Sequence, residues 1–199
     1  MNTATVNQSL SPDLFEYLLV VSPAKEVYEK VMEEKQSFYK NYNQPIAIKT
    51  QPHITVSNFV ATAGLENILL RWMQRATAEQ ECFVTQLNNY SGFPGNAVFI
   101  RVQNHDPFRE LIGRLKPIST HLKNFGCPPF RFSTTPHMSI ARSLSKDIYE
   151  KAMNEYARKD FTASFNVSKL TLLRKQYGNN YEKYQEVAIL NLKPDYSRH

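Results

Sequence analysis

Residues 48–59 read IKTQPHITVSNF, and residues 132–143 read FSTTPHMSIARS. Each stretch holds a Pro-His pair followed by an apolar, a hydroxyl and a second apolar residue. Each also carries a threonine three positions before the histidine, Thr50 and Thr134. The histidines, His53 and His137, are 84 positions apart (137 − 53). The chain has only five histidines in 199 residues, so two in the same frame argue for an internal repeat. In an extended strand alternate side chains share a face. His53 and Thr55 then point one way, with Ile54 and Val56 opposite. His137 and Ser139 likewise oppose Met138 and Ile140. The apolar pairs anchor two strands in a core and leave an imidazole and a hydroxyl together on each free face.

The flanking sequence repeats in the same order. LFEYLLVV (14–21) is a buried strand by its apolar run. Residues 22–42 form a helix, with Ser22 as cap, Pro23 in the first turn, and Val27, Val31 and Phe38 on one face. IAIKT and HITVSNFV follow as a strand pair, or one strand around Pro52. Residues 64–76 are helical, and 81–90 form a strand running into a turn at NNYSGFPGN (88–96). The order then restarts: strand 97–104, helix 106–122 opened by Asp106 and Pro107 and interrupted at Pro117, and an extended segment 130–144. A helix capped by Ser145 (145–159), one or two strands over 161–175, and a closing strand 186–192 complete it. Two similar units, about 14–90 and 97–176, are expected within one bilobal domain spanning 14–192. Residues 1–13 and 193–199 are expected to be tails.

Composition narrows the class. The chain is 42% hydrophobic and 12% aromatic, with a net charge of +6. A packed core is expected, and the basic surface favours polyanionic partners such as phosphates. Cys82 and Cys127 form no CxxC and lie in no Cys/His cluster, so free thiols are expected rather than a zinc site or a disulfide framework. The polar opening MNTATVNQSLSPD has neither the basic nor the apolar region of a secretory signal. No apolar run approaches the ~20 residues of a membrane span. A cytoplasmic monomer is expected.

Two imidazoles and two hydroxyls suit phosphodiester cleavage. A base must activate the nucleophile and an acid must protonate the leaving oxygen, and histidine does either near neutral pH. Hydroxyls and an arginine can hold the non-bridging oxygens. The set lacks the carboxylate or thiolate that a zinc or magnesium site favours, so no metal or cofactor is expected.

The paired motif resembles the 2H phosphoesterase superfamily, and within it the RNA 2′,3′-cyclic phosphodiesterases also called 2′-5′ RNA ligases. HITV (53–56) and HMSI (137–140) match its two His-x-[Thr/Ser]-apolar copies. HMSIAR supplies an arginine, Arg142, and LTLLRKQYGNNYEKY supplies Gly178 and Tyr181 for a Gly-x-x-Tyr that often follows a late strand. The resemblance spans about 14–192. It implies a bilobal α/β (α+β) fold with two antiparallel sheets lining a central cleft and helices outside. It also implies metal-independent opening of a 2′,3′-cyclic phosphate on RNA ends or small nucleotides, or the reverse 2′-5′ joining. His53, Thr55, His137 and Ser139 would be the catalytic residues. The first motif departs from the ligase-like pattern, with Asn58 where a phenylalanine is common and Phe59 after it.

Other residues carry weaker expectations. Arg142, five positions after His137, falls on the wrong face of an ideal strand and needs a bulge or strand end to reach phosphate. Tyr181 and Arg174 are candidates for substrate contact, Arg174 with Lys175 as a basic rim. Phe93 could stack on a base. Trp72 and Met73 read as core or lobe contact, and His105 and His121 as helix-end residues. A non-catalytic module binding RNA or nucleotides through the same basic cleft is the alternative reading.

Overall fold

The computed structural model describes residues 13–194. The expected N-terminal tail, apart from Asp13, and residues 195–199 lie outside it. Lys193, assigned to the C-terminal tail, is tied in: its N–H donates to the Gln80 carbonyl and its own carbonyl accepts from Cys82 N.

The elements follow in chain order. Strand β1 (Leu14–Val21) precedes helix α1 (Lys25–Tyr42), the single helical turn α2 (Ile46–Lys49) and strand β2 (Ile54–Thr62). Helix α3 (Glu66–Ala78), strands β3 (Phe83–Phe93) and β4 (Ala97–Val102), and helix α4 (Asp106–Lys123) come next. Then come β5 (Arg131–Phe132), β6 (His137–Ala141), α5 (Lys146–Tyr156), β7 (Thr162–Val167), β8 (Lys169–Gln176) and β9 (Gln185–Asn191).

The strands form one antiparallel, curled sheet in the order β7-β3-β4-β6-β2-β1-β8-β9, with β5 also on β2. It has two halves, β7-β3-β4-β6 and β2-β1-β8-β9. Between β6 and β2 only Ile54 and Met138 pair. The two expected sheets are these halves, and the two motif strands are the seam. Each half is finished by a strand from the other repeat, since β3 leaves the first unit to pair with β4 and β8 leaves the second to pair with β1. The helices cross too. Helix α1 packs on β6 and β7, and α4 packs on β2.

Four local expectations are corrected. IAIK is helical rather than a strand, because Pro45 is already in the right-handed helical region (φ −59°) and starts a turn. Ser22 and Pro23 lie in the connection after β1, and α1 begins only at Lys25, behind an extended Ala24 with no side-chain cap. Pro117 does not interrupt α4; it forfeits one backbone bond, while Phe108, Leu111, Leu115, Ile118 and Leu122 bury the helix on both sides of it. Strand β3 runs through SGF to Phe93, leaving only Pro94–Asn96 as the turn, with Gly95 at φ 67°. Cys82 is a half-buried free thiol and Cys127 a buried one.

Candidate active site

The seam decides the site. Ile54 and Met138 are fully buried and face each other. Extending their antiparallel register by one residue each way sets His53 opposite Ser139 and Thr55 opposite His137. Directly opposed residues share a face with Cβ atoms about 5 Å apart. Both imidazoles and both hydroxyls therefore meet on the face opposite the buried pair.

Each motif also carries a bulge at its fourth residue. The β1–β2 ladder passes from Leu19–Ser57 to Val20–Thr55, so Val56 is the extra residue. The β4–β6 ladder passes from Val98–Ala141 to Phe99–Ser139, so Ile140 is extra. Both extra residues are fully buried. A bulge reverses the alternation beyond it. Ala141 therefore stays in the core and Arg142 turns back to the histidine face. Its charge acts on His53, Lys35 and Tyr184, and none of the ion pairs among the described residues uses it. In the first motif the same shift sends Phe59 inward, stacked between Phe130 (3.9 Å between centroids) and Tyr17 (5.1 Å). Asn58 is left on the open face. There it borders a cavity of about 240 Å³ with Glu16, Arg131 and Tyr177, beyond the histidines.

The two rings are held alike. His53 Nδ1 lies 2.8 Å from the Gln51 carbonyl and His137 Nδ1 lies 2.7 Å from the Thr135 carbonyl. A carbonyl only accepts, so each Nδ1 carries the hydrogen and each Nε2 is left for chemistry. The accepting residue precedes a buried proline in both motifs, Pro52 and Pro136, and a residue before proline is kept extended. The Pro-His pairs thus set the tautomer.

Their surroundings differ. Burial lowers the pKa of both imidazoles, and the carbonyl bond of each works against that. Lys35 and Arg142 also disfavour the protonated form of His53, and each protonated imidazole disfavours protonation of the other. His137 instead touches aromatics, with Phe99 at 4.7 Å and Phe93 edge-on at 5.2 Å. Phe93 itself is 37% exposed.

Three sequence candidates lie elsewhere. Arg174 is opposite Tyr17 in the β1–β8 ladder, on the helix-covered face, where it pairs with Glu66 and lies over Phe15. Lys175 faces the open side but is matched by Glu16 at 3.3 Å. Tyr181 is 99% exposed in a turn set by Gly178 (φ 80°) and Asn179, whose Oδ1 accepts from Tyr181 N and Glu182 N. Tyr184 sits nearer: Lys175 lies over its ring, and burial together with the neighbouring Glu16 carboxylate raises the pKa of its hydroxyl. His105 bonds the Val102 carbonyl just before α4, His121 packs on Trp72, and Met73 is core.

Reasoning from sequence missed Tyr184 and Lys35. Nothing separates Tyr184 from Tyr181 until the Gly178 turn is known. Lys35 did leave a signal, since it falls on the apolar stripe of Val27, Val31 and Phe38 and is only 1% exposed.

Among the described residues no group of three or more His, Cys, Asp or Glu side chains could hold a metal ion, and no helix is long and apolar enough to cross a membrane.

Comparison with known proteins bears on the fold and the family. No curated protein matches in sequence. A crystal structure of a phosphoesterase superposes with a TM-score of 0.63 at 16% identity, over 89% of this chain and 98% of that one. E. coli LigT complexed with 3′-AMP gives 0.62 at 15% identity, over 90% and 98%. TT0787 of Thermus thermophilus gives 0.68 at 15% identity, over 90% and 99%. Residues 23–179 match the family described as the 2′-5′ RNA ligase superfamily. With that match covering most of the chain, and its two histidine motifs meeting at the seam of a LigT-like fold, the protein belongs to the 2′-5′ RNA ligase superfamily of 2H phosphoesterases.

Proposed function

We propose that the chain is a metal-independent phosphodiesterase that opens 2′,3′-cyclic phosphates on RNA ends or small nucleotides, leaving a 2′-phosphate. One observation carries the reading: the seam register and the two Nδ1 bonds turn both Nε2 atoms and both hydroxyls to one face. A water gives a proton to His53 Nε2 as its oxygen attacks phosphorus. The P–O3′ bond breaks, and the departing oxygen takes the proton of His137 Nε2–H. His53 is the base because Lys35 and Arg142 disfavour its charged form before the reaction. Thr55, Ser139 and Arg142 hold the non-bridging oxygens as charge builds. With a 5′-hydroxyl in place of the water the same roles give 2′-5′ joining: its proton goes to His53 Nε2 as its oxygen attacks phosphorus, and the departing O3′ takes the proton of His137.

The nucleoside end of the substrate meets Phe93, the exposed ring beside His137. A nucleoside phosphate suits a fold whose E. coli LigT example is complexed with 3′-AMP. Stacking on an aromatic ring contributes about 1–3 kcal/mol per base. Phe93→Ala should therefore raise KM for a nucleoside 2′,3′-cyclic phosphate about tenfold and change kcat little. An unchanged KM would remove Phe93 from the site.

The test of the reaction class is conversion of an RNA ending in a 2′,3′-cyclic phosphate, followed by chromatography of the product in the presence of chelator. A 2′-phosphate product supports the proposal; salt-sensitive binding with no product favours a non-catalytic binder. Its pH dependence is also set. The kcat/KM profile peaks midway between the pKa values of base and acid in the free enzyme. Both lie below the ordinary histidine value of about 6.5. The rate should rise as His53 loses its proton and fall as His137 loses the one it donates, with the maximum on the acid side of 6.5. A maximum above neutrality would contradict the assignment.

A further inference from the structure

A bulge leaves a carbonyl without its usual ladder partner, and the two motif bulges solve this differently. In the first motif the Val56 carbonyl accepts from Ser133 N at 2.9 Å, beside the short strand β5. In the second motif the matching Ile140 carbonyl receives Lys35 Nζ at 3.2 Å. Lys35 also donates to the Ser139 carbonyl at 3.1 Å and to Thr50 Oγ1 at 3.3 Å. Thr50 lies three residues before His53, so one ammonium bridges the two motifs from beneath. The repeat is broken here, because 84 positions after Lys35 stands Ser119, which accepts from Phe130 N.

We infer that Lys35 is a positioning residue for the paired-histidine site: it stands in for a missing strand under β6 and holds the bulge that aims Ser139 and Arg142. This rests on the acid–base reading of the two histidines. A lysine is rarely fully buried unless it is paired, and here three oxygens, two backbone carbonyls of β6 and the Thr50 hydroxyl, satisfy all three of its hydrogens. The groups that bear on it are Arg142 just after β6 and His53 just before β2. Burial, then the Arg142 charge, lowers its pKa to about 8, so the ammonium stays mostly charged at neutral pH. That charge bears on His53 and not on His137.

The test compares Lys35→Met, Lys35→Gln and Lys35→Arg with the parent, titrating both imidazoles by NMR and measuring kcat and KM separately. Loss of the charge should raise the pKa of His53 in the Met and Gln variants and leave His137 in place, moving the acid limb of the rate profile to higher pH. The Met variant should lose about 100-fold in kcat through misplacement of Ser139 and Arg142, with KM nearly unchanged. The Gln variant, which keeps a donor, should lose less, and the Arg variant should recover the His53 titration. An unshifted His53 and an unchanged kcat in the Met variant would overturn the role, as would equal shifts of both imidazoles. Failure of all three variants to fold would overturn it too, making Lys35 a stability residue. Failure of the acid–base reading looks different: His53→Ala would keep its turnover while the His53 titration in the lysine variants still moved.

Discussion

Replacing either histidine should remove turnover of a 2′,3′-cyclic phosphate without unfolding the chain. His53→Ala and His137→Ala should each lose about 1,000-fold or more in kcat, the upper part of what a general acid or base contributes. The double variant should lose little beyond either single one, because a base without its acid completes no cycle. Both rings are only half-buried and each makes one bond, to a carbonyl two residues back, so the fold should survive. The measurement is single-turnover conversion of labelled substrate, with circular dichroism on the same samples. Full activity in either variant would sink the paired mechanism. His53→Gln is a sharper form. It keeps a side-chain donor for the Gln51 carbonyl but offers no basic nitrogen, so it should be as inactive as the alanine.

The motif was legible because its signal is local and doubled. A His and a hydroxyl two residues apart share a strand face by geometry alone, and the second copy supplied the partner. The meeting of the two strands was not legible. It rests on one pair, Ile54 with Met138, and on exchanges of β3, β8, α1 and α4 between the halves that no residue pattern records. The bulges were equally silent. Val56 and Ile140 read as ordinary inward residues, yet as the extra residues they turn Arg142 toward the histidines and leave Asn58, not Phe59, on the open face. Charge was the weaker guide. Arg174 reads as a rim cation and is tied to Glu66 on the covered face. Lys35 passed unremarked although it falls on the apolar stripe of α1, and it lies under the site. The helix start failed at Ser22 because Ser22, Pro23 and an extended Ala24 form the connection after β1, and α1 begins only at Lys25.

The seam itself should be the most stability-sensitive point near the site. Ile54→Ala and Met138→Ala each remove a fully buried side chain, and such truncations cost about 2–5 kcal/mol. The two residues oppose each other, so their effects should not add: the second truncation enlarges a cavity that already exists. Urea unfolding should report this as a lower midpoint with an unchanged slope. Ile189→Ala, at a 44% exposed position on the edge strand β9, is the control and should move stability by about half a kcal/mol or less. The outcome separates two views of the molecule. If the halves were joined mainly by α1 and α4 crossing between them, the seam variants would cost under about 1 kcal/mol, well short of an ordinary core truncation. A full cost would mean that the ladder pair beneath the histidines also joins the lobes. Activity should then fall with stability in these two variants, because the register that holds the fold together also sets His53 opposite Ser139.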